Sequence, residues 1–390
     1  MTSAGSLERR LGLGDAVVLG LGSMLGTGVF VVWSPAAERA GRWLLAALAV
    51  AAVVAYCNAT STAQLAAVHP ESGGAYVYGR RRLGRWWGVL AGAAFLIGKT
   101  ASCAAAALAI GTYASLGEER WAAAAAVVAA TALNLFGVGR TAAVTRVLVA
   151  CVLAVLVLVV GTAVASPPAG TDGPAPAGHG ATGVLAAAAL FFFAFAGYAR
   201  VATLGAEVRD PSRVIPRAIV LALGGVLLVY TVIGVTLLAT LGLAGIAGSS
   251  TPLAAAVEGV TLVERVVRLG AAVAAFAILV PLLAGLARTA FAMASYGDLP
   301  NALAAVSGRR IPHRAQLLVA LGVLAVTLIG ELVGAVVVSA GAVLVYYAVA
   351  NLAALQLSAL ERRWPRGLAL LGLLGCVTLA GSLLTQSGPV

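Results

Sequence analysis

Runs of apolar residues long enough to cross a lipid bilayer recur along almost the whole chain, and very few charges interrupt them. A spanning helix needs about 20 mostly apolar residues. Hydrophobic residues make up 61% of the 390 positions and charged residues only 10%. Soluble domains run near ~45–50% apolar and ~25% charged, so a soluble globular chain and a disordered one are both excluded. In lipid, every backbone polar group must be satisfied within its segment, so runs of this length fold as helices. Barrel strands of about 10 alternating residues are absent. The sequence therefore predicts an all-α polytopic membrane protein. Eleven spans are expected, at 14–36, 42–67, 86–114, 121–137, 142–164, 184–206, 215–243, 269–296, 314–330, 333–358 and 367–385.

The basic residues sort by side. Of 25, all but Lys99 are Arg. Seventeen fall in loops on one side, among them Arg80, Arg81, Arg82, Arg85, Arg309, Arg310 and Arg314; five fall on the other, namely Arg39, Arg42, Arg120, Arg265 and Arg268. Lys99, Arg200 and Arg288 lie within spans. The positive-inside bias makes the Arg-rich side cytoplasmic. The expected topology is a multi-pass protein of the inner cell membrane with a cytoplasmic N-terminus. The net charge of +11 is thus a membrane-topology signal, and no basic patch sits on a soluble segment to bind nucleic acid. The lipid bilayer is the expected partner.

Cys57, Cys103, Cys151 and Cys376 lie in apolar runs without metal-type spacing and read as small buried residues. Arg9 and Arg10 precede an apolar run, as in a signal peptide, but Asp15 interrupts the junction and no small-residue cleavage pattern follows, so this run reads as the first span. Residues 166–182, SPPAGTDGPAPAGHGAT, form a Pro- and Gly-rich loop expected to be extended or mobile, and extracellular. It divides the chain into 1–165 and 183–360, with 361–390 following.

Two spans carry unusual interiors. The first contains Gly22-Ser23-Met24-Leu25-Gly26-Thr27-Gly28-Val29-Phe30, poor helix material. A break there is tolerated only where backbone lines a cavity or is buried in protein, and freed N–H groups at the start of a half-helix attract an anion such as a carboxylate. The alternative is close packing through small residues, since Gly22-x-x-x-Gly26 fits a packing motif. Both readings stand on this segment alone. The sixth span contains Phe191-Phe192-Phe193-Ala194-Phe195-Ala196-Gly197-Tyr198-Ala199-Arg200, a mid-span Gly flanked by aromatics and followed by a charge. Interrupted helices in corresponding positions of two halves point to a transporter site.

These segments resemble the amino acid–polyamine–organocation transporters. The resemblance starts at GSMLGTGVF and continues through Pro70-Glu71-Ser72-Gly73-Gly74-Ala75-Tyr76-Val77-Tyr78 and Glu207-Val208-Arg209-Asp210-Pro211-Ser212-Arg213-Val214-Ile215-Pro216-Arg217. It returns at Ala287-Arg288-Thr289-Ala290-Phe291-Ala292-Met293-Ala294 and Gly297-Asp298-Leu299-Pro300. It implies a leucine-transporter-type fold, two inverted five-helix repeats plus an eleventh transmembrane helix. It implies a site between spans 1, 3, 6, 8 and 10. N–H groups of Leu25, Gly26, Thr27 and Gly28 would hold a substrate carboxylate. Carbonyls of Met24, Phe193 and Ala196, beside Gly197, would hold the amino group, and Phe193 would be the aromatic gate.

The sequence departs from that family in several places. Members commonly have twelve spans, and many carry a Glu pair where Ala206-Glu207 stands. Some proton-dependent relatives place a Lys in span 5, where this chain has Val149-Ala150-Cys151-Val152-Leu153. Lys99, in span 3, is the conspicuous charge instead. Intramembrane ionisable residues are costly and usually face the bundle interior. Three roles are open to it: a coupling-proton site, a fixed positive charge beside substrate, or a structural Lys that snorkels or pairs with carbonyls. Arg200 and Arg288 read as inner-gate partners of Glu207, Asp210 or Asp298, or as interface anchors.

No Asp or Glu falls in the centre of spans 1, 3, 6, 8 or 10, so a cationic substrate side chain lacks a buried partner. The expected activity is secondary transport of neutral amino acids by alternating access, driven by protons with sodium left open, and needing no cofactor. Amino acid exchange and a non-transporting sensor are the rivals. No phosphate-binding Gly-x4-Gly-Lys-Ser/Thr loop exists to use ATP, and the histidines His69, His179 and His313 lie outside span centres, so no enzyme is expected.

Overall fold

The computed structural model describes residues 12–69, 73–114, 118–136, 142–165, 173–198, 208–306 and 311–386. Among them the secondary structure is helical, without β-strands. The helices are α1 (Leu13–Met24), α2 (Gly28–Val31), α3 (Trp33–Ala40), α4 (Leu44–Val68), α5 (Ala75–Arg82), α6 (Arg85–Ala114), α7 (Glu119–Leu135) and α8 (Ala142–Ala165). They continue as α9 (Gly180–Phe195), α10 (Pro211–Thr240), α11 (Gly242–Gly248), α12 (Pro252–Ala255), α13 (Thr261–Ser295), α14 (His313–Ile329), α15 (Leu332–Leu355) and α16 (Arg366–Gln386).

Nine helical stretches among the described residues are long and apolar enough to cross a membrane, against the eleven spans expected. The difference lies in α7 and α14, each 17 residues. At 1.5 Å per residue such a helix reaches about 25 Å, short of a hydrocarbon core of about 30 Å. Boundaries also move. The second spanning stretch starts at Trp33, taking in the end of the expected first span. Helix α13 begins at Thr261, so Arg265 and Arg268, expected in a loop, are helical; Arg268 pairs with Glu264 one turn earlier at 2.9 Å.

Small residues set the packing. Ala104, Ala105, Ala106 and Ala107 of α6 are all buried, which brings α6 close to α13 and α15. Within a bilayer such close backbone approach, through van der Waals contact, holds helices together. In contrast α8 presents most of its apolar surface outward. That explains a correction: Cys57, Cys103 and Cys376 are buried as expected, but Cys151 of α8 is exposed.

The loops expected on the Arg-rich side do meet one another. Arg146 at the start of α8 pairs with Asp15 at the start of α1. Arg82 bonds both carboxylate oxygens of Glu361, at 3.2 and 2.5 Å. At the opposite end, the His179 N–H donates to the Arg39 carbonyl, so the end of the Pro-rich loop lies against α3.

Candidate functional site

The first spanning helix breaks where its glycines predict. Helix α1 ends at Met24, Leu25 leaves helical geometry (φ −88°, ψ 41°), and α2 resumes at Gly28. Met24, Leu25, Gly26, Thr27 and Gly28 are all buried. The Leu25 N–H donates to Leu21, but the N–H groups of Gly26, Thr27, Gly28 and Val29 have no backbone acceptor among the described residues. The Thr27 hydroxyl is buried with no hydrogen-bond partner. Buried polar groups left unpaired are costly, and this segment gathers several of them without a protein acceptor among the described residues.

The packing alternative is realised as well. A Cβ on Gly22 would lie 2.8 Å from Val149 of α8, one on Gly26 2.5 Å from Ile278 of α13, and one on Gly28 2.6 Å from Ala194 of α9. Break and close packing are two consequences of the same glycines.

The sixth expected span (184–206) also leaves α-helical geometry, and its part beyond Tyr198 lies outside the described residues. Helix α9 ends at Phe195 and a 3-10 turn covers Ala196–Tyr198. The two breaks touch. Ser23 Oγ lies within donor range of the Gly20 carbonyl at 2.8 Å and the Gly197 carbonyl at 2.9 Å. A Cβ on Gly197 would sit 2.1 Å from the Ser23 carbonyl oxygen, so only glycine admits this crossing. Tyr347 of α15 donates its hydroxyl to the Ala196 carbonyl at 3.2 Å and stacks on Tyr198 with centroids 5.1 Å apart. Phe191, Phe192 and Phe195 are fully buried, whereas Phe193 keeps partial exposure. That leaves its ring the freest of the four to move.

Between α1, α8 and α13 lies a cavity of about 30 Å³, lined by Gly22, Leu25, Gly26, Thr145, Val149 and Ile278 among others. It has room for a water molecule or two and is too small for an amino acid.

Lys99 lies in α6 with intermediate exposure. Phe95, one turn before it, packs on Tyr346, and Ser102 after it bonds Ser339 of α15 at 2.6 Å. No hydrogen bond or ion pair to Lys99 is formed among the described residues, and none joins it to either break. Arg200 and Glu207 lie outside the described residues. Arg288 is exposed on α13.

The partners of Asp298 differ from those expected. Its side chain is fully buried and receives the Tyr76 hydroxyl at 2.7 Å, Arg80 at 2.5 Å and Arg85 at 2.9 Å. These tie α5 and the start of α6 to the end of α13. Burial works against the carboxylate, but the Tyr76 hydroxyl and the two guanidinium groups outweigh it and hold Asp298 below the usual carboxylate range. Burial and the same carboxylate push the Tyr76 hydroxyl up, keeping it a donor.

Sequence reasoning assigned no role to Tyr347 or Tyr76. Tyr347 follows Tyr346 in an apolar run and looks like any core aromatic. Nothing local shows that its hydroxyl reaches a carbonyl 151 positions earlier.

The amino acid permease family matches residues 15–363. An uncharacterised transporter of Mycobacterium tuberculosis (strain H37Rv) is 52% identical over 384 residues, covering 97% of this chain and 87% of that protein. A branched-chain amino acid permease of Bacillus subtilis is 28% identical over 331 residues, 77% of this chain and 70% of that one. A methylthioribose transporter of Bacillus subtilis is 27% identical over 328 residues, again 77% and 70%. The chain therefore belongs to the amino acid permease family and is a membrane transporter, not an enzyme.

Proposed function

We propose that this transporter carries neutral amino acids across the inner cell membrane by alternating access, coupled to protons. The observation that carries the reading is the meeting of two broken helices, with four backbone N–H groups at Gly26–Val29 lacking acceptors among the described residues. A carboxylate supplies the missing acceptor, and a half-helix start favours its charge. The carbonyls of Met24, Phe193 and Ala196 then receive the amino group, and Phe193 closes over it. The cavity lined by Gly22, Leu25 and Gly26 is too small for substrate, so in this reading substrate is admitted by movement around the two breaks. Absence of a carboxylate side chain at the breaks favours a neutral substrate.

The supporting framework is the leucine-transporter-type arrangement, with 1–165 and 183–360 as inverted repeats and α16 as an added helix. In that arrangement α7 and α14 supply the remaining two of eleven crossings, and the N-terminus is cytoplasmic. Lys99 is the candidate for proton exchange, being the one basic residue placed mid-span without an ion-pair partner among the described residues.

Uptake by the purified protein in proteoliposomes tests this reading. The panel spans labelled neutral, cationic and acidic amino acids and, because one relative is named for it, methylthioribose. Gradient-driven accumulation of neutral amino acids is expected. Uptake only into liposomes preloaded with amino acids would make it an exchanger, and accumulation of methylthioribose alone would replace the substrate class.

A further inference from the structure

A polar cluster inside the bundle joins α4, α15 and α16. Asn58 of α4 and Asn351 of α15 are fully buried, and Cys376 of α16 is nearly so. The Asn351 Nδ2 donates to the Asn58 Oδ1 at 2.6 Å, and the Asn58 Nδ2 donates to the Cys376 Sγ at 3.2 Å. The Asn351 Oδ1 is buried without a partner. Gly372, one turn before Cys376, lets α16 close over the amide pair: a Cβ there would lie 2.8 Å from both amide oxygens. Helix α16 packs on α9 as well as on α4 and α15. Interhelical hydrogen bonds of this kind hold spanning helices together, and a buried Asn also fixes the register between helices.

The register of Asn351 also sets where Tyr347 stands. The two residues are one turn apart on the same face of α15. The Tyr347 ring stacks on Tyr198 and meets Phe192 edge-on, with centroids 5.1 and 5.7 Å apart, so it touches the second break on both sides of Ala196. Its hydroxyl reaches the Ala196 carbonyl at 3.2 Å, past the usual range of about 2.5–3.0 Å for such a bond. A bond this long has little slack, and a small slide of α15 breaks it. A carbonyl oxygen carries two lone pairs. Tyr347 takes one at Ala196 and leaves the other for a ligand.

We propose that Asn351 is a positioning residue for the amino-group end of the substrate site: held by Asn58 and Cys376, it keeps α15 in the register at which Tyr347 orients the Ala196 carbonyl. The inference rests on the reading that this carbonyl receives the substrate's amino group.

The test compares ligands that differ only in that amino group. Dissociation constants of the full-length protein in detergent are measured for leucine against isocaproate and for alanine against propionate. Wild-type protein is expected to prefer the amino acid of a pair. Asn351→Leu, similar in size but without the amide, should lower that preference about fivefold, the share of one neutral hydrogen bond. The loss should fall on the amino acid and spare its analogue. Asn58→Leu should do the same, and the double variant no more than either single, because both remove one interaction. Cys376→Ala, which deletes only the thiol, makes the same comparison with little risk to folding and should lower the preference by less. Ser102→Ala removes a different bond of α15, that to Ser339; it should lower the thermal midpoint and leave the preference intact. A purely structural amide pair lowers affinity for both members of a pair alike. An unchanged preference in Asn351→Leu, Asn58→Leu and Cys376→Ala therefore overturns the inference and leaves the substrate reading standing. Wild-type protein that binds neither amino acid better than its analogue overturns the substrate reading, and this inference with it.

Discussion

Ser23 and Gly197 join the two broken helices: the Ser23 hydroxyl stands 2.9 Å from the Gly197 carbonyl, while the Ser23 carbonyl occupies the space a Cβ on Gly197 would need. The contact is 174 positions long in sequence. It makes helix α1 and the turn after α9 a single structural unit.

Gly197→Ala forces a Cβ to within 2.1 Å of backbone oxygen, and backbone cannot rotate away as a side chain can. Overpacking of this kind costs about 1–3 kcal/mol, and here it separates the two breaks. Uptake should fall at least tenfold, with a lowered thermal midpoint in detergent. Ser23→Ala, which removes only the hydroxyl, should cost about 1 kcal/mol and leave measurable uptake. Equal uptake by Gly197→Ala and the wild type would show that the crossing is not needed.

Gly28 and Ala194 give a second, reciprocal test. A Cβ on Gly28 would lie 2.6 Å from the Ala194 Cβ and 2.9 Å from its Cα. Gly28→Leu therefore disturbs helix packing as well as any ligand, so the smaller Gly28→Ala is the informative change. It should reduce substrate affinity and stability together. Adding Ala194→Gly removes one of the two clashing atoms and should restore part of both. No recovery in the double variant would show that the Ala194 Cβ is not the cause of the loss.

Much of this was legible in the sequence because it is local. The apolar runs announce the helices, and Gly22, Gly26, Gly28 and Gly197 announce where they break or cross. The count of crossings was less legible, because α7 opens with Glu119 and Arg120, directly after Glu118, and α14 stops at 17 residues; composition alone does not say whether a short helix is completed by its neighbours. The partners of Asp298 were not legible at all. Arg80 and Arg85 were visible only as topology charges, and their reach to Asp298 joins segments more than 200 positions apart.

That Asp298 cluster predicts an acid-dependent loss of stability. A carboxylate held below its usual pKa contributes stability that is complete above the unfolded value, about 3.9, and is lost as pH falls through the lower folded value. Glu361, held down to about 2 from a usual 4.5 chiefly by Arg82, behaves the same way over that interval. The thermal midpoint in detergent should thus drop between pH 4.5 and pH 2. Asp298→Asn loses its charge-assisted bonds, each worth about 1.5–3 kcal/mol at most, and exposure of Arg85 reduces that sum. It should be less stable at neutral pH, with a flatter acid profile. An unchanged acid profile in Asp298→Asn together with Arg82→Gln would remove both clusters as its cause.

Lys99 separates proton coupling from substrate binding. It has no ion-pair partner among the described residues and sits between the contacts that fix α6 to α15, Phe95 on Tyr346 and Ser102 on Ser339. Lys99→Met keeps the length and apolar stem of the side chain but carries no proton. If Lys99 exchanges the coupling proton, the variant still binds substrate and still exchanges it across the membrane, yet a pH gradient no longer drives accumulation. If Lys99 is a fixed charge beside the substrate, binding itself weakens and exchange falls with it, while a purely structural Lys changes stability and leaves the gradient dependence intact. Substrate binding, counterflow and gradient-driven uptake, measured on one preparation, therefore assign the residue to one of its three roles, and retained gradient-driven uptake in Lys99→Met would falsify the coupling role.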